Sequence, residues 1–168
     1  MRQLGRTLLV TVVALACIGC DQTTKLAARS LLPPTEVTSL LGDTIRLQLA
    51  TNYGAFLSLG HALSDGWRHW LLSVGVGCVL LGMAWYALVA KALRPSVVLS
   101  LALIIGGGVS NLLDRLMHGG YVIDFINLGV GQLRTGIFNF ADVALSLGVV
   151  LLLFSSREAA ADRHGQSP

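Results

Sequence analysis

Four long stretches with very few charged side chains constrain this chain more than any other feature. Trp70 to Ala90 and Pro95 to Leu113 contain no Asp, Glu, Lys or Arg, and the segments 7–28 and 137–156 contain few. A helix needs about 20 predominantly apolar residues to cross the hydrocarbon core of a bilayer. Because backbone exposed to lipid must satisfy its own hydrogen bonds, stretches of this length indicate helices. We therefore predict an all-α membrane protein with spans at approximately 7–28, 70–90, 95–113 and 137–156.

Composition supports a membrane location. The chain is 54% hydrophobic and 12% charged, whereas a water-soluble domain carries roughly 25% charged residues. Its Lys and Arg residues are scattered, so the sequence gives no sign of a nucleic-acid partner. Cys17, Cys20 and Cys78 lie in apolar stretches, where we expect them to pack rather than to form disulfides. We expect a single integral membrane domain over 1–168, with a disordered tail at 157–168.

The distribution of Lys and Arg predicts an orientation. The short segments 1–6, 91–94 and 157–168 are dense in these residues, whereas the longer connections between spans carry them more thinly. The positive-inside rule then predicts that both termini lie in the cytoplasm. The loops from about Arg29 to Arg68 and from Asp114 to Thr135 would consequently lie outside.

The first of these outer loops contains a strand signal. The segment Ile45-Arg-Leu-Gln-Leu49 alternates between apolar and polar side chains. Such alternation is typical of a strand with one buried face. We therefore expect a short half-buried strand there, and no separate soluble domain.

Polar residues from separate segments are predicted to meet at the outer membrane face. A charge inside a span is unfavourable by about 2.5–3.5 kcal/mol on insertion scales, so each one needs a reason. Asp124 is expected in the short loop between the third and fourth spans. The other members stand near the outer ends of spans: Asp21, Lys25, Asn111, Asp114, Arg115, Asn139 and Asp142. Together they indicate a site at the outer surface of the bilayer.

Most of these residues also have a structural interpretation. Asp21 and Lys25, four residues apart, could form an ion pair along one helix face. Asn139 could cap the fourth span, and Asp142 could be a favourable acid in its first turn. The presence of Asp124 together with Asp142 is what favours chemistry, because neither acid has an assigned basic partner.

Two further motifs also have a structural interpretation, and the histidines give no sign of a metal site. Asp114 with Arg115 could anchor a helix at the interface, and Gly106-Gly107-Gly108 could allow helices to pack closely. The four His residues show no ligand spacing with any Cys or with one another. We therefore expect no metal site and no organic cofactor.

Five short motifs follow one another along the chain. They are Asp21-Gln-Thr-Thr-Lys25, Asn52-Tyr-Gly-Ala-Phe56, Gly106-Gly-Gly-Val-Ser-Asn-Leu-Leu-Asp-Arg115, Val122-Ile-Asp-Phe125 and Phe138-Asn-Phe-Ala-Asp142. In order and spacing this series resembles the bacterial lipoprotein signal peptidases, also called signal peptidase II. The resemblance extends over about residues 7–155. It implies four transmembrane helices with a small extracytoplasmic β-cradle.

The resemblance also implies a function and its residues. Asp124 and Asp142 would form the catalytic pair of an aspartic endopeptidase, which cleaves prolipoproteins on the amino side of a diacylglyceryl-modified Cys. The residues that would line or brace the pocket are Asp21, Lys25, Asn52, Gly54, Gly108, Asn111, Asp114, Arg115, Asn139 and Ala141. The expected partners are diacylglyceryl-modified prolipoproteins and membrane lipid. The expected protein is a monomer of the bacterial inner membrane, with its site at the periplasmic face.

A pair of aspartates has a chemical logic of its own. Two carboxyl groups that share a site do not both ionise easily, so one is expected to stay protonated while the other is an anion. The anion could then activate water while its partner hydrogen-bonds the scissile carbonyl. The sequence leaves open which aspartate has which role, because coupled groups titrate as a pair.

Two other protein classes share some of these features. A small four-span transporter or an ion- or proton-conducting protein would also carry Asp and Arg in the membrane, although its charges would be spread through the bilayer depth. A bacterial lipoprotein signal would explain Arg2, Arg6, the apolar run and Gly19-Cys20. Against that interpretation, Cys17 stands where Leu is expected, and three more spans follow.

Overall fold

Long helices and a small sheet make up the computed structural model, which describes residues 2–54, Gly66 and 70–164. The helices are α1 (Gln3–Leu31), α2 (Val76–Val89), α3 (Pro95–Met117) and α4 (Phe140–His164), and the strands are β1 (Thr38–Leu40), β2 (Ile45–Asn52), β3 (Val122–Val130) and β4 (Leu133–Arg134). A π-helical turn, Leu71–Gly75, leads into α2. Four segments are long and apolar enough to cross a membrane, which confirms the predicted fold class. Ala55 and Phe56 of the second motif lie outside the described residues.

The first and third spans are longer than predicted. α1 extends beyond the predicted span 7–28 at both ends. α3 continues past Leu113 to Met117, so that Asp114 and Arg115 lie inside the helix rather than after it. These two charged residues stay in the helix because both side chains are buried among protein partners described below. Charge alone therefore placed the end of this span too early.

The fourth span differs from its predicted limits at both ends. α4 begins at Phe140, three residues after the expected start, and the helix continues to His164. The tail from residue 157 was predicted to be disordered, which was wrong as far as His164. The segment from Glu158 to Ala161 consists of strong helix formers, which favour continuation of the helix. The final residues, 165–168, lie outside the described part of the chain.

α3 is the central helix of the bundle. In its most apolar window 61% of the residues are buried inside the protein, against 11% for α1 and 22% for each of the other two spans. Its glycines let the neighbouring helices approach closely: a Cβ atom at Gly106 would lie 2.9 Å from Cα of Ala14 in α1. A Cβ atom at Gly107 would collide with the carbonyl oxygen of Ala141 in α4. The glycine run therefore serves close packing, as its structural interpretation predicted.

The sheet is antiparallel, with strand order β1-β2-β3-β4. The predicted strand at 45–49 is confirmed as the first part of β2. Ala50 of β2 lies opposite Asp124 of β3, after a bulge between Leu47 and Ala50. The end of β2 thereby brings Asn52 next to the start of β3, where it pairs with Val122.

Asp124 was predicted to lie in a loop, and this was wrong. It is the third residue of β3 and is 2% exposed. The β-branched and aromatic residues around it, Ile123 and Phe125 among them, favour a strand, and β2 supplies the pairing partner from far upstream. A strand fixes the direction of the Asp124 side chain more firmly than a loop would.

The opposite end of the bundle is held by Arg6. Its Nη1 atom donates to the backbone carbonyls of Ala87, Leu88 and Ala90 at the C-terminal end of α2. Carbonyls at a helix C-terminus lack helical partners and carry partial negative charge. Arg6 is buried, and it joins α1 to α2 through neutral acceptors rather than through an acidic partner.

Candidate active site

A cavity of about 1200 Å³ lies between α2, α3, α4 and the sheet. The side formed by α2 is apolar and includes Leu80 and Met83. The polar residues that line the cavity include Asn52, Asn111, Arg115, Asp124 and Asp142, and Gly108 also faces it. The cavity therefore combines a wide apolar wall with a small group of polar side chains.

Asn139 connects the two aspartates that reach this cavity. Asp124 comes from β3 and Asp142 from the first turn of α4. The Asn139 Nδ2 atom donates to Asp124 Oδ1 at 2.7 Å, and its backbone N–H donates to Asp142 Oδ2 at 3.2 Å. Asn139 Oδ1 accepts from the backbone N–H of Asp142 at 2.9 Å. This exchange resembles a capping box, so the predicted cap also links the aspartate pair.

Each aspartate receives a second amide. Asn52 Nδ2 donates to Asp124 Oδ2 at 3.1 Å, and Asn111 Nδ2 donates to Asp142 Oδ1 at 2.9 Å. The orientation of Asn52 is fixed because its Oδ1 atom accepts from the backbone N–H of Gly54 at 3.0 Å. Neutral amides therefore hold both carboxyl groups without supplying a countercharge.

Asp124 lies on the sheet, outside the spanning segments, and its acidity is strongly altered. Burial, followed by the nearby charge of Asp142, raises the pKa of Asp124 to about 7. The hydrogen bonds from Asn52 and Asn139 act in the opposite direction but are outweighed. Near neutral pH, a substantial fraction of Asp124 is thus protonated, as the sequence argument predicted for one member of the pair.

A second carboxylate pair lies between α1 and α3. Lys25 Nζ is 2.6 Å from Asp21 Oδ2 and 2.9 Å from Asp114 Oδ2, and both aspartates are buried. The predicted ion pair between Asp21 and Lys25 is confirmed, with Asp114 as a second partner. Lys25 Nζ also donates to Asn111 Oδ1 at 3.1 Å. Asn111 is consequently shared between this cluster and the aspartate pair.

Two residues of this cluster were not among the predicted site residues. Ser110 Oγ donates to Asp21 Oδ2 at 2.7 Å, and Gln22 Nε2 donates to Asp114 Oδ1 at 2.7 Å. Both stand inside the polar motifs, directly beside Asp21 and Asn111, which is the signal that could have identified them. The predicted Ala141 belongs here as well, because its backbone N–H donates to Asp21 Oδ1 at 2.9 Å.

Arg115 was expected to line or brace the pocket. It lines the cavity, and its guanidinium donates to backbone carbonyls of the protein. Nη2 donates to Gly54 at 3.0 Å and Nη1 to Asn111 at 3.3 Å. Arg115 therefore holds the chain that follows Asn52 against α3. With Gly54 included, the structure brings all the predicted site residues into one connected region.

Fold and site together define a class of protein. Three of the membrane-spanning helices and the sheet surround a cavity lined by two adjacent aspartates, one buried and one half-buried. This is the construction expected of a membrane-embedded aspartic hydrolase. Comparison with known families agrees, because the model of the signal peptidase (SPase) II family matches residues 13–157. The chain belongs to the signal peptidase II family, and it is a multi-pass peptidase of the bacterial inner membrane.

Individual relatives and solved structures support this assignment. A lipoprotein signal peptidase of Teredinibacter turnerae is 36% identical over 148 residues, which cover 86% of this chain and 84% of that protein. One from Photorhabdus laumondii is 41% identical over 113 residues, 66% of this chain and 65% of the relative. A solved bacterial membrane enzyme has a TM-score of 0.78 at 18% identity and covers 95% of this chain and 93% of its own. That structure supports the fold.

Family membership decides between the alternatives that the sequence left open. A peptidase family accounts for the two aspartates at the cavity, so a transporter or ion-conducting protein is no longer needed to explain them. A lipoprotein signal that ended before Cys20 would also have to divide α1. Cys20 lies within this helix, immediately before the buried Asp21.

Proposed function

We propose that this chain removes signal peptides from diacylglyceryl-modified prolipoproteins, and that Asp124 and Asp142 hydrolyse the bond on the amino side of the modified Cys. The observation that carries this proposal is the link through Asn139, which holds two carboxyl groups from different elements at one cavity. The substrate class is supported by the relatives, which are named lipoprotein signal peptidases.

The two aspartates can divide the steps of peptide hydrolysis between them. The ionised carboxylate takes a proton from a water molecule as that water attacks the scissile carbonyl carbon. The protonated partner donates a hydrogen bond to the carbonyl oxygen and stabilises the negative charge that develops there. A proton then passes to the leaving nitrogen as the C–N bond breaks. A pKa of about 7 suits Asp124 to carrying the proton.

The rest of the cavity fits a lipid-modified peptide. Asn52 and Asn111 present neutral amides, which can position a peptide backbone without adding charge. Leu72, Val76 and Val79 provide an apolar wall on the α2 side. Acyl chains gain about 0.8 kcal/mol for each methylene group they bury. We propose that membrane lipid and the substrate's acyl chains contact this wall.

Orientation and oligomeric state are part of the same proposal. We propose that both termini lie in the cytoplasm and that the cavity opens toward the periplasmic face. Positive residues such as Arg6 and Arg94 lie at the opposite end of the bundle from the aspartates, which the positive-inside rule favours. We also propose a monomer, because one chain supplies every contact described for the aspartate pair.

The test is cleavage of a synthetic diacylglyceryl lipopeptide by purified protein in detergent. Asp124→Asn and Asp142→Asn should each lower kcat/KM by about 1000-fold, since general acid–base catalysis contributes about 10²- to 10⁴-fold. The amide has nearly the size of the carboxyl group, so both variants should fold. Full activity in either variant would contradict the assignment of the pair.

A matched control replaces an exposed acid. Glu36 lies in the segment before β1 and is exposed, so Glu36→Gln should retain wild-type activity. The same peptide without its diacylglyceryl group should be cleaved at least about tenfold more slowly, because it loses the apolar contacts of the acyl chains. Equal cleavage of both peptides would contradict the proposed lipid dependence.

A further inference from the structure

Lys25 is connected to the proposed catalytic pair through one side chain, Asn111. We propose that Lys25 is a positioning residue that acts through Asn111 to keep Asp142 as the ionised member of the pair, so that Asp124 carries the proton. This inference rests on the proposed function. The simpler alternative is that Lys25 only neutralises Asp21 and Asp114.

The first step concerns the orientation of the Asn111 amide. An ammonium group has only donors, so the atom of Asn111 that faces Lys25 Nζ at 3.1 Å must be the carbonyl oxygen. Asn139 Nδ2 donates to the same oxygen at 3.1 Å. The amino group of Asn111 is therefore turned toward Asp142 Oδ1, at 2.9 Å. Lys25 and Asn139 together thus determine which end of Asn111 meets the aspartate.

The second step concerns Asp142 itself. Both of its carboxylate oxygens accept N–H groups, Oδ1 from Asn111 and Oδ2 from the Asn139 backbone. Hydrogen bonds donated to a carboxylate favour its ionised form. Asn111 is the stronger of these two donors, because Lys25 polarises its amide from the carbonyl side. Such polarisation passes along a chain of hydrogen bonds.

Asp124 has no such connection to a cation among the hydrogen bonds of the described residues. Its two amide donors are Asn52 and Asn139. The carbonyl oxygen of Asn52 accepts from the backbone of Gly54, and that of Asn139 accepts from the backbone of Asp142. Both amides are thus polarised by neutral groups. The asymmetry between the two aspartates follows from the hydrogen bonds one step away from them.

Other charged groups on the elements packed near Asp142 do not replace Lys25 in this role. They are Asp21 of α1, Asp114 and Arg115 of α3, and Asp124 of β3. Arg115 donates to backbone oxygens and leaves the side-chain amide of Asn111 to Lys25. Asp21 and Asp114 bind Lys25 from the other sides and keep its ammonium group in place.

The decisive experiment measures kcat/KM for the lipopeptide against pH in Lys25→Met. The acidic limb of the profile reports the group that must be ionised, which is Asp142 in this proposal. Met does not donate to Asn111, so this limb should move up by about one pH unit. The double variant Lys25→Met/Asp114→Asn removes one positive and one negative charge together. The double variant should show the same upward shift of the acidic limb. It replaces the single variant in this experiment if Lys25→Met does not accumulate.

Gln22→Met is the matched control for a purely structural effect. Gln22 donates to Ser110 and Asp114 in the same cluster, but it takes no part in the bond from Lys25 to Asn111. This variant should lower thermal stability and leave the acidic limb at its wild-type pH. If the Lys25 variants also lose only stability, with the limb unmoved, Lys25 is structural and the inference is overturned.

A second readout separates this inference from the proposed function. The infrared absorption of the Asp142 carboxyl can be identified in purified protein as the difference between wild type and Asp142→Asn, without any substrate. Its titration midpoint should rise by about one pH unit in Lys25→Met, and an unchanged midpoint overturns the inference. Failure of the wild type to cleave any lipopeptide would instead overturn the proposed function.

Discussion

Two pairs of carboxylates lie side by side in this protein and are held in different ways. Asp21 and Asp114 are joined by the ammonium group of Lys25, whereas Asp124 and Asp142 are joined by Asn139, through its side-chain amide and its backbone N–H respectively. In the first pair, each carboxylate has the Lys25 ammonium group within 3 Å. The second pair has well-formed hydrogen bonds but no cation among them.

The difference explains why only one pair is suited to proton transfer. A cation between two carboxylates compensates their negative charge and holds both in place. Amides position a carboxyl group in either protonation state and leave its acidity to burial and to the neighbouring acid. At Asp124 these two influences raise the pKa to about 7. One pair therefore contributes mainly stability, while the other remains free to exchange protons.

The largest contrast should appear in stability. Asp21→Asn removes the closer partner of Lys25 and leaves a buried ammonium group with less countercharge. Breaking a buried ion pair from one side typically costs about 3–5 kcal/mol, so we expect a loss of this size in the free energy of unfolding. Asp142→Asn should lose about 1 kcal/mol or less, because the amide keeps an acceptor for the helix cap. Thermal unfolding in one detergent compares the two, and equal losses would remove the distinction between the pairs.

A smaller contrast should appear in activity when the bridging amide is removed. Asn139→Ala deletes the side-chain bond to Asp124 and keeps the backbone bond to Asp142, so the link between the two is lost. We expect kcat/KM to fall about 100-fold, the effect of losing one preorganised donor. The loss of stability should be about 1 kcal/mol, the usual value for an N-cap.

The control for this variant is a buried amide in the sheet. Asn127 Nδ2 donates to the Thr135 carbonyl at 2.6 Å, and Asn127→Ala loses that bond without touching either carboxylate pair. Its activity should stay within about threefold of wild type, since substitutions away from the chemistry act mainly on stability. Similar activity losses in both variants would mean that Asn139 supports the fold rather than the pair.

The smallest effect concerns the pH dependence of stability. Asp124 keeps its proton to about pH 7 in the folded protein, whereas an unfolded chain releases it near pH 4. Between these values the unfolded state binds fewer protons, so this group makes stability fall as pH rises from about 4 to about 7. Asp124→Asn removes that fall. The thermal midpoint of this variant should gain a few degrees on wild type between about pH 5 and pH 8.

Glu36→Gln provides the reference for that measurement. Glu36 is exposed, and this variant should follow the wild-type curve across the whole range. If Asp124→Asn also runs parallel to wild type, then Asp124 is ionised in the folded protein and does not hold the proton of the pair.

The spans could be predicted because their cause lies within one stretch of sequence. Bilayer thickness and the absence of charge act on each segment separately. The strand at 45–49 could be predicted for the same reason, because the alternation of apolar and polar side chains lies within the segment. The end of α3 was harder, because Asp114 and Arg115 stay helical only through partners elsewhere. Those partners, Lys25 and Gly54, come from distant parts of the chain.

The site was predictable in its members but not in its connections. The sequence placed Asp21, Lys25 and Asn111 at one depth in the membrane. It did not show that Lys25 touches Asn111, because that contact depends on how α1 is rotated against α3. The close approach at Gly106 sets this rotation, and a glycine run by itself does not reveal which neighbour will use it. The position of Asp124 on β3 depends in the same way on β2.

The central place of α3 also determines where related chains are free to diverge. Lipid tails adapt to any apolar shape, so α1, with 11% of its apolar window buried, can exchange Leu, Ile, Val and Phe over most of its surface with little consequence. An added methyl group at Gly107 would meet the backbone of α4 and displace the first turn that carries Asp142. Substitutions among members of this family should therefore concentrate at positions that face lipid. Along α3, residue size should be retained.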